Sequence, residues 1–290
     1  MLKTTIVYKK EENFELKGDF YPASQTNRPV ILYIHGGGLL WGSREDMKSE
    51  QIEFYHKAGF NIFSIDYRLA PESKLPAIKE DIADALNWVE NEGAQQFDYD
   101  PENIAVIGSS AGGFLALLTG TFTKKPKAIV SFYGYGDILG DWALKPSPHY
   151  TSMTNVPREL AKMLISNEII SVGPIEKRYA LYMHARQHGV WIEELTGLIP
   201  IIEKEELSKY CPLYHVHADF PPTLLLHGTN DDDVPYEQSV LMAEALRENG
   251  VDEQLITIPD GKHQFDEDWE NPVVQHAFEE VITFLTHKLV

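Results

Sequence analysis

Apolar residues fall along this chain in two alternating patterns. Val30-Ile31-Leu32-Tyr33-Ile34 is an unbroken run, as a strand buried on both faces requires, and comparable runs occupy residues 61–65, 104–107, 128–132, 223–226 and 254–258. Between them the spacing changes. Ile78, Ile82, Leu86 and Val89 fall on one face of a helix over 78–90, and Val274, Phe278, Ile282 and Leu285 on one face of a helix over 273–289. This alternation predicts an α/β chain with a mostly parallel twisted sheet, its strands joined by flanking crossover helices. Two shorter strands, near 4–9 and 14–20, precede the first buried run across a loop rich in Pro, Ser and Asn.

The rhythm fails between Phe132 and Pro221, where helical patterns appear near 158–166 and 175–188 without a clear buried strand. Residues 134–220 therefore read as a helical cap inserted into a core made of 1–133 and 221–290. The cap carries Trp142, Tyr150, Met163, Tyr179, Tyr182, Met183 and Trp191. Such residues are expected to form the cap's own core, with an acyl or alcohol pocket as the second reading.

With 290 residues, 43% hydrophobic and 24% charged, the chain has the composition of an ordinary globular protein with material for a large core. A formal net charge of −19 without an offsetting Lys/Arg run argues against nucleic acid as a partner. The N-terminal residues alternate apolar and charged positions, which reads as a strand and not a signal peptide. No run reaches the ~20 apolar residues that span a bilayer, so the expectation is a cytoplasmic protein without a membrane partner. Cys211, the single cysteine, sits in no motif and reads as a small apolar residue.

Chemistry concentrates in Ile104-Ala105-Val106-Ile107-Gly108-Ser109-Ser110-Ala111-Gly112-Gly113, an apolar strand that runs through Gly-x-Ser-x-Gly into the helix former Phe114-Leu115-Ala116-Leu117-Leu118. A strand before and a helix after are what a nucleophile elbow needs, and the turn lifts Ser110 Oγ out of the sheet at the positive end of a helix. A serine hydroxyl is a weak nucleophile at neutral pH. It needs a base for its proton and donors for the charge that develops on the substrate oxygen.

Candidates for both lie at strand ends. His35-Gly36-Gly37-Gly38 follows the run 30–34, and the N–H groups of Gly37 and Gly38, with that of Ala111, are the expected oxyanion donors. Leu224-Leu225-Leu226-His227-Gly228-Thr229-Asn230-Asp231 places a carboxylate just past a buried strand, and His263 follows the next one. Asp231 is the expected acid because it comes first after the strand, whereas Asp232 and Asp233 read as a solvated charged loop. His263 is the expected base, most of the eleven histidines being assigned to the surface. His184/His188 and His215/His217 lack the carboxylate spacing of a zinc hydrolase, and no Gly-rich loop followed by Lys-Ser/Thr is present, so no metal or cofactor is expected.

Taken together these segments resemble the hormone-sensitive-lipase-like branch of the α/β hydrolases, the bacterial carboxylesterases and acetyl esterases. His35-Gly36-Gly37-Gly38 is similar to that branch's oxyanion loop, Asp66-Tyr67-Arg68-Leu69-Ala70-Pro71-Glu72 to its following strand end, and Asp231-x-x-Val234-Pro235 and His263-x-Phe265 to its acid and base loops. The resemblance covers residues 28–133 and 221–289, implies the α/β-hydrolase fold and the triad Ser110, Asp231, His263, and favours Asp231 as the acid. Two features depart from it. Ser109 stands where the branch usually has an aspartate before the nucleophile, and the cap follows the strand 128–132 instead of forming mainly at the N-terminus.

The expected activity is hydrolysis of small or medium acyl esters, preferably uncharged, through an acyl-enzyme. Amide or peptide hydrolysis by the same triad, and a non-catalytic ligand-binding protein on a hydrolase scaffold, are the alternatives. Edge strands offer a route to a homodimer, although no residue compels one.

Overall fold

The computed structural model describes residues 2–290. Its eight strands are β1 (Thr4–Lys10), β2 (Glu15–Tyr21), β3 (Val30–Ile34), β4 (Asn61–Ile65), β5 (Ile104–Ser109), β6 (Ala128–Phe132), β7 (Thr223–Gly228) and β8 (Glu253–Ile258). They form one sheet in the order β1-β2-β4-β3-β5-β6-β7-β8. β2 pairs antiparallel with β1 and with β4, and every pairing from β4 to β8 is parallel, so the mostly parallel sheet expected from the alternation is present, in the α/β-hydrolase arrangement that the resemblance implies.

Period-2 alternation divides each central strand between two apolar layers. Val30, Leu32 and Ile34 of β3 and Ile104 and Val106 of β5 face one core, with Phe114, Ile78 and Leu246; Ile31, Tyr33, Ala105 and Ile107 face the other, with Tyr55 and Phe278. The first layer is covered by α2 (Leu75–Trp88), α4 (Ala111–Thr119) and α11 (Glu237–Glu248), the second by α1 (Ser49–Lys57) and α12 (Pro272–Leu289); a short α3 (Ala94–Phe97) follows α2. The run 254–258, expected to be buried, is largely half-exposed because β8 lies at the sheet edge. None of the described helices is long and apolar enough to cross a membrane.

Between β6 and β7 lie six short helices: α5 (Asp141–Leu144), α6 (Pro148–Thr151), α7 (Arg158–Met163), α8 (Ile175–His188), α9 (Trp191–Thr196) and α10 (Lys204–Ser208). Gly189, in the left-handed conformation at φ +66°, ends α8. The helices pack chiefly through Leu181, Tyr182, Ala185, Trp191, Ile192 and Leu195, all buried.

The turn from β5 into α4 is the tightest point of the fold. Ser110 has φ +54° and ψ −118°, outside the regions that L-residues ordinarily occupy. A Cβ on Gly108 would lie 2.0 Å from Gly112 O, and one on Gly112 would lie 2.0 Å from Ile34 O. The ends of β5 and β3 and the first turn of α4 therefore meet backbone to backbone. Gly112→Ala is expected to lower stability by about 1–3 kcal/mol, because the atoms it strikes, Ile34 O and His35 O, belong to the main chain and have no rotamer to yield. The urea unfolding midpoint checks this; a wild-type midpoint would mean that the elbow can open at little cost.

Candidate active site

Three strand ends deliver the predicted site residues to one place. Ser110 leaves β5, Asp231 follows β7, and His263 follows β8. His263 Nδ1 lies 2.7 Å from Asp231 Oδ2, and His263 Nε2 lies 3.0 Å from Ser110 Oγ. With Nδ1 donating to the carboxylate, a neutral ring leaves Nε2 free to accept the serine proton.

Asp231 is held on all sides, and its side chain has no solvent exposure. Its Oδ1 accepts from the N–H groups of Asp233 and Val234 at 2.9 Å each, and its Oδ2 is also 3.2 Å from His227 Nε2. Burial opposes its ionisation, but the hydrogen bonds from His227 and His263 and the charge of those rings outweigh it, holding its carboxyl well below the usual carboxylate range. His227, which no sequence motif marks, is fully buried, as is His35. Its Nε2 faces two acceptors, Asp231 Oδ2 and Val234 O, while Nδ1 lies 2.7 Å from Ser239 Oγ. The signal available was its position at the end of an apolar strand, four residues before the acid.

His263 is pulled in two directions. Burial favours the neutral ring, while the hydrogen bond to Asp231 and the charges of Asp233, Asp231 and Asp266 favour the cation and raise its pKa above the ordinary histidine value. Tyr133 lies edge-on to the imidazole at 4.7 Å and donates to Asp266 Oδ1 at 2.6 Å, and Gln51 Nε2 donates to Asp266 Oδ2 at 2.7 Å. Neither Tyr133 nor Gln51 belongs to a motif, so sequence offered no route to them.

The glycine loop turns sharply after β3, with Gly37 at φ +98° and Gly38 at φ +59°. Gly37 O accepts from Leu40 N at 2.9 Å and Trp41 N at 3.1 Å, which closes the turn. The N–H groups of Gly37, Gly38 and Ala111 find no acceptor among the described residues. Tyr67 Oη donates to His35 O and Gly36 O at 3.0 and 3.2 Å, and its ring stacks on His35 at 4.3 Å. From the cap, Trp191 Nε1 donates to Gly38 O at 3.2 Å and buried Arg178 donates to Leu40 O, to Ala70 O at 2.7 Å and to Glu72.

Ser110 and His263 open into a cavity of about 630 Å³, within the range of small-molecule sites. Trp41, Tyr150 and Tyr179 line one side, and the carboxylates of Asp46, Asp233 and Asp266 also reach it. Of the cap residues named from sequence, Tyr182 and Trp191 pack in the interior with Trp142 against them, Tyr150 and Tyr179 reach the cavity, and Met163 is 81% exposed.

Asp233 corrects an expectation. Only Asp232 behaves as a solvated charge, half-exposed and 3.1 Å from His149 Nδ1. Asp233 is largely buried, accepts from Tyr182 Oη at 2.8 Å and Arg186 Nη1 at 3.1 Å, and brings Oδ2 to 3.8 Å from His263 Nε2. Elsewhere in the cap, His184 Nδ1 is 2.8 Å from Val156 O and His215 Nε2 is 2.9 Å from Ser208 O. Cys211 is buried, and burial, reinforced by Asp137, pushes its thiol up to about 12 against backbone hydrogen bonds from Ile138 and Leu139.

This site can be set beside those of known proteins. The chain is similar to the non-reducing polyketide synthases ausA of Penicillium brasilianum and trt4 of Aspergillus terreus, 30% identical to each over 90% of its own length. It spans 13% of either synthase. Among solved structures, a protein of unknown function from Staphylococcus aureus superposes over the whole of both chains with a TM-score of 0.81 and 25% identity. Esterase 2 of Thermogutta terrifontis, phosphonylated by sarin, superposes with a TM-score of 0.72 and 25% identity over 98% of this chain and 94% of its own. An α/β hydrolase superfamily protein from Enterococcus faecalis, at 23% identity, shares the fold with a TM-score of 0.78 over 99% of each chain. Residues 19–246 match the BD-FAE family; the chain belongs to that family and has the fold of the α/β hydrolases.

Proposed function

We propose that the chain is a serine carboxylesterase in which Ser110 is the nucleophile, His263 the general base and Asp231 the orienting acid. The observation that carries this reading is the continuous path from Asp231 Oδ2 through the His263 ring to Ser110 Oγ, in steps of 2.7 and 3.0 Å. Ser110 Oγ attacks the ester carbonyl carbon as its proton passes to His263 Nε2. The N–H groups of Gly37, Gly38 and Ala111 receive the charge on the carbonyl oxygen, and the proton then goes to the departing alkoxide. Water repeats the sequence on the acyl-enzyme and returns free Ser110. Small or medium uncharged esters suit the cavity's size, and its lining, in which six carboxylate residues outnumber Lys48 and Lys262, disfavours an anionic acid portion.

The phosphonylation of the Thermogutta esterase is chemistry of an activated nucleophile, and a fluorophosphonate probe asks for the same chemistry here. Wild type is expected to be labelled and to hydrolyse p-nitrophenyl esters with a preference for short chains. Ser110→Ala is expected to lose labelling and at least ~10³-fold in kcat. Undiminished turnover in that variant would remove Ser110 from the mechanism.

The base must be neutral to act, so kcat/KM rises with pH through the His263 pKa. Because the charges facing it raise that pKa, the midpoint of the acidic limb is expected above the ordinary histidine value of about 6.5. A pH profile of p-nitrophenyl acetate hydrolysis checks this, and a midpoint below that value would contradict it.

A further inference from the structure

Asp233 has one carboxylate oxygen committed to the cap and the other facing the base. Oδ1 accepts from Tyr182 and Arg186, both on α8, while Oδ2 lies 3.8 Å from His263 Nε2, the nitrogen that faces Ser110. Arg186 also donates to Asp233 O at 3.1 Å and to Trp142 O at 3.3 Å. Its guanidinium is enclosed by the rings of Trp142, Tyr150, Tyr182 and Trp191 at 5.1–5.5 Å. A carboxylate gripped at one oxygen and at its own backbone carbonyl cannot swing its other oxygen away.

We propose that Asp233, clamped by Tyr182 and Arg186, is a positioning residue that sets the proton affinity of His263 from the cap side. The proposal rests on reading Ser110, His263 and Asp231 as the triad. When the serine proton reaches Nε2, the imidazolium has Asp231 against Nδ1 and the Asp233 charge beyond Nε2. At 3.8 Å the second carboxylate is too distant to take the proton by hydrogen bonding but near enough to stabilise the cation. The proton is thus left for the departing alkoxide.

The other groups facing His263 are Asp266 from its own loop, Tyr133 from the segment after β6 and the Ser110 hydroxyl, with Lys262 exposed beside it in sequence. Asp233 is faced by Arg186, Tyr182, Tyr150 and Tyr179 from the cap. The same direction emerges from charge: Asp233 is among the groups that raise the His263 pKa.

The test is the pH profile of kcat/KM for p-nitrophenyl acetate in wild type, Asp233→Asn and the double variant Asp233→Asn/Arg186→Gln, with Ser110→Ala alongside. Asn keeps an acceptor for Tyr182 and Arg186 while removing the charge. The double variant leaves no buried guanidinium without a counter-charge, and it supplies the readout if the single variant does not fold by near-UV circular dichroism. In folded Asp233→Asn the acidic limb is expected to move down by about one pH unit, and in the double variant down by a smaller amount because the Arg186 cation is lost with the carboxylate; loss of packing alone would not produce a downward shift. A limb that stays at the wild-type position overturns the proposal while leaving the triad intact. Full turnover in Ser110→Ala would overturn the triad reading and this proposal with it.

Discussion

Ser110 is held in a backbone conformation that costs of order 1–3 kcal/mol, and the close packing of β3, β5 and α4 around it keeps it there. The conformation persists because β3, β5 and α4 approach so closely that only glycine fits at positions 108 and 112. Ser110 N donates to Phe132 O at 2.9 Å and Phe114 N to Ser110 O at 3.0 Å, so the turn is tied to β6 on one side and to its own helix on the other. The hydroxyl then projects above the strand ends, beside a helix N-terminus whose first N–H groups are unused. Every other functional position is measured from that point. In the triad proposed above the oxyanion donors lie on the loop after β3 and the acid and base on the loops after β7 and β8, all at the C-terminal ends of parallel strands.

The acid loop shows how much buried polarity such an arrangement requires. Asp231 is ionised out of water and is stabilised by two backbone N–H groups and two imidazoles. Two residues on, Asp233 meets Arg186, which is 2% exposed. Breaking a buried pair of this kind by removing one partner costs about 3–5 kcal/mol, more than most single apolar contacts contribute. The loop that carries Asp231 and Asp233 is therefore tied to the cap as well as to the sheet. Desolvation works against both charges, and the aromatic rings around Arg186 return part of that cost through cation–π attraction, about 0.5–2 kcal/mol each.

What the chain reveals before folding divides along the range of the interactions. The strands β3 to β7 are legible because burial on both faces demands continuous apolar runs, and α8 is legible over its whole length, Ile175–His188. β8 misleads, since an apolar run such as Leu255-Ile256-Thr257-Ile258 does not report that its strand lies at an edge. At the site, Ser110, Asp231 and His263 can be placed from local context, each being close in sequence to its strand end. Asp233 cannot be, because what buries it lies about fifty residues away on α8, and neither Tyr182 nor Arg186 belongs to a recognisable motif. His227, Gln51 and Tyr133 share that difficulty: each is defined by a partner that only the folded chain brings near.

The same reasoning changes how the inserted helices are to be understood. A lid that merely covers a site needs apolar contact with its rim and little else. Here Trp191 holds Gly38 O, Arg178 holds Leu40 O and Ala70 O, and Tyr182 and Arg186 hold Asp233. Tyr182 also packs so tightly on the glycine loop that a Cβ on Gly38 would lie 2.9 Å from its ring. The glycine loop after β3 and the loop that carries Asp231 and Asp233 both border Ser110 and His263, and α8 touches both. Its buried residues accordingly include Arg178, His184, Arg186 and Gln187, so its burial does not follow the apolar stripe of an ordinary surface helix. That composition makes sense for an element whose task is to fix the separation of two polar loops: directional hydrogen bonds set a distance, whereas apolar packing alone would let the loops slide.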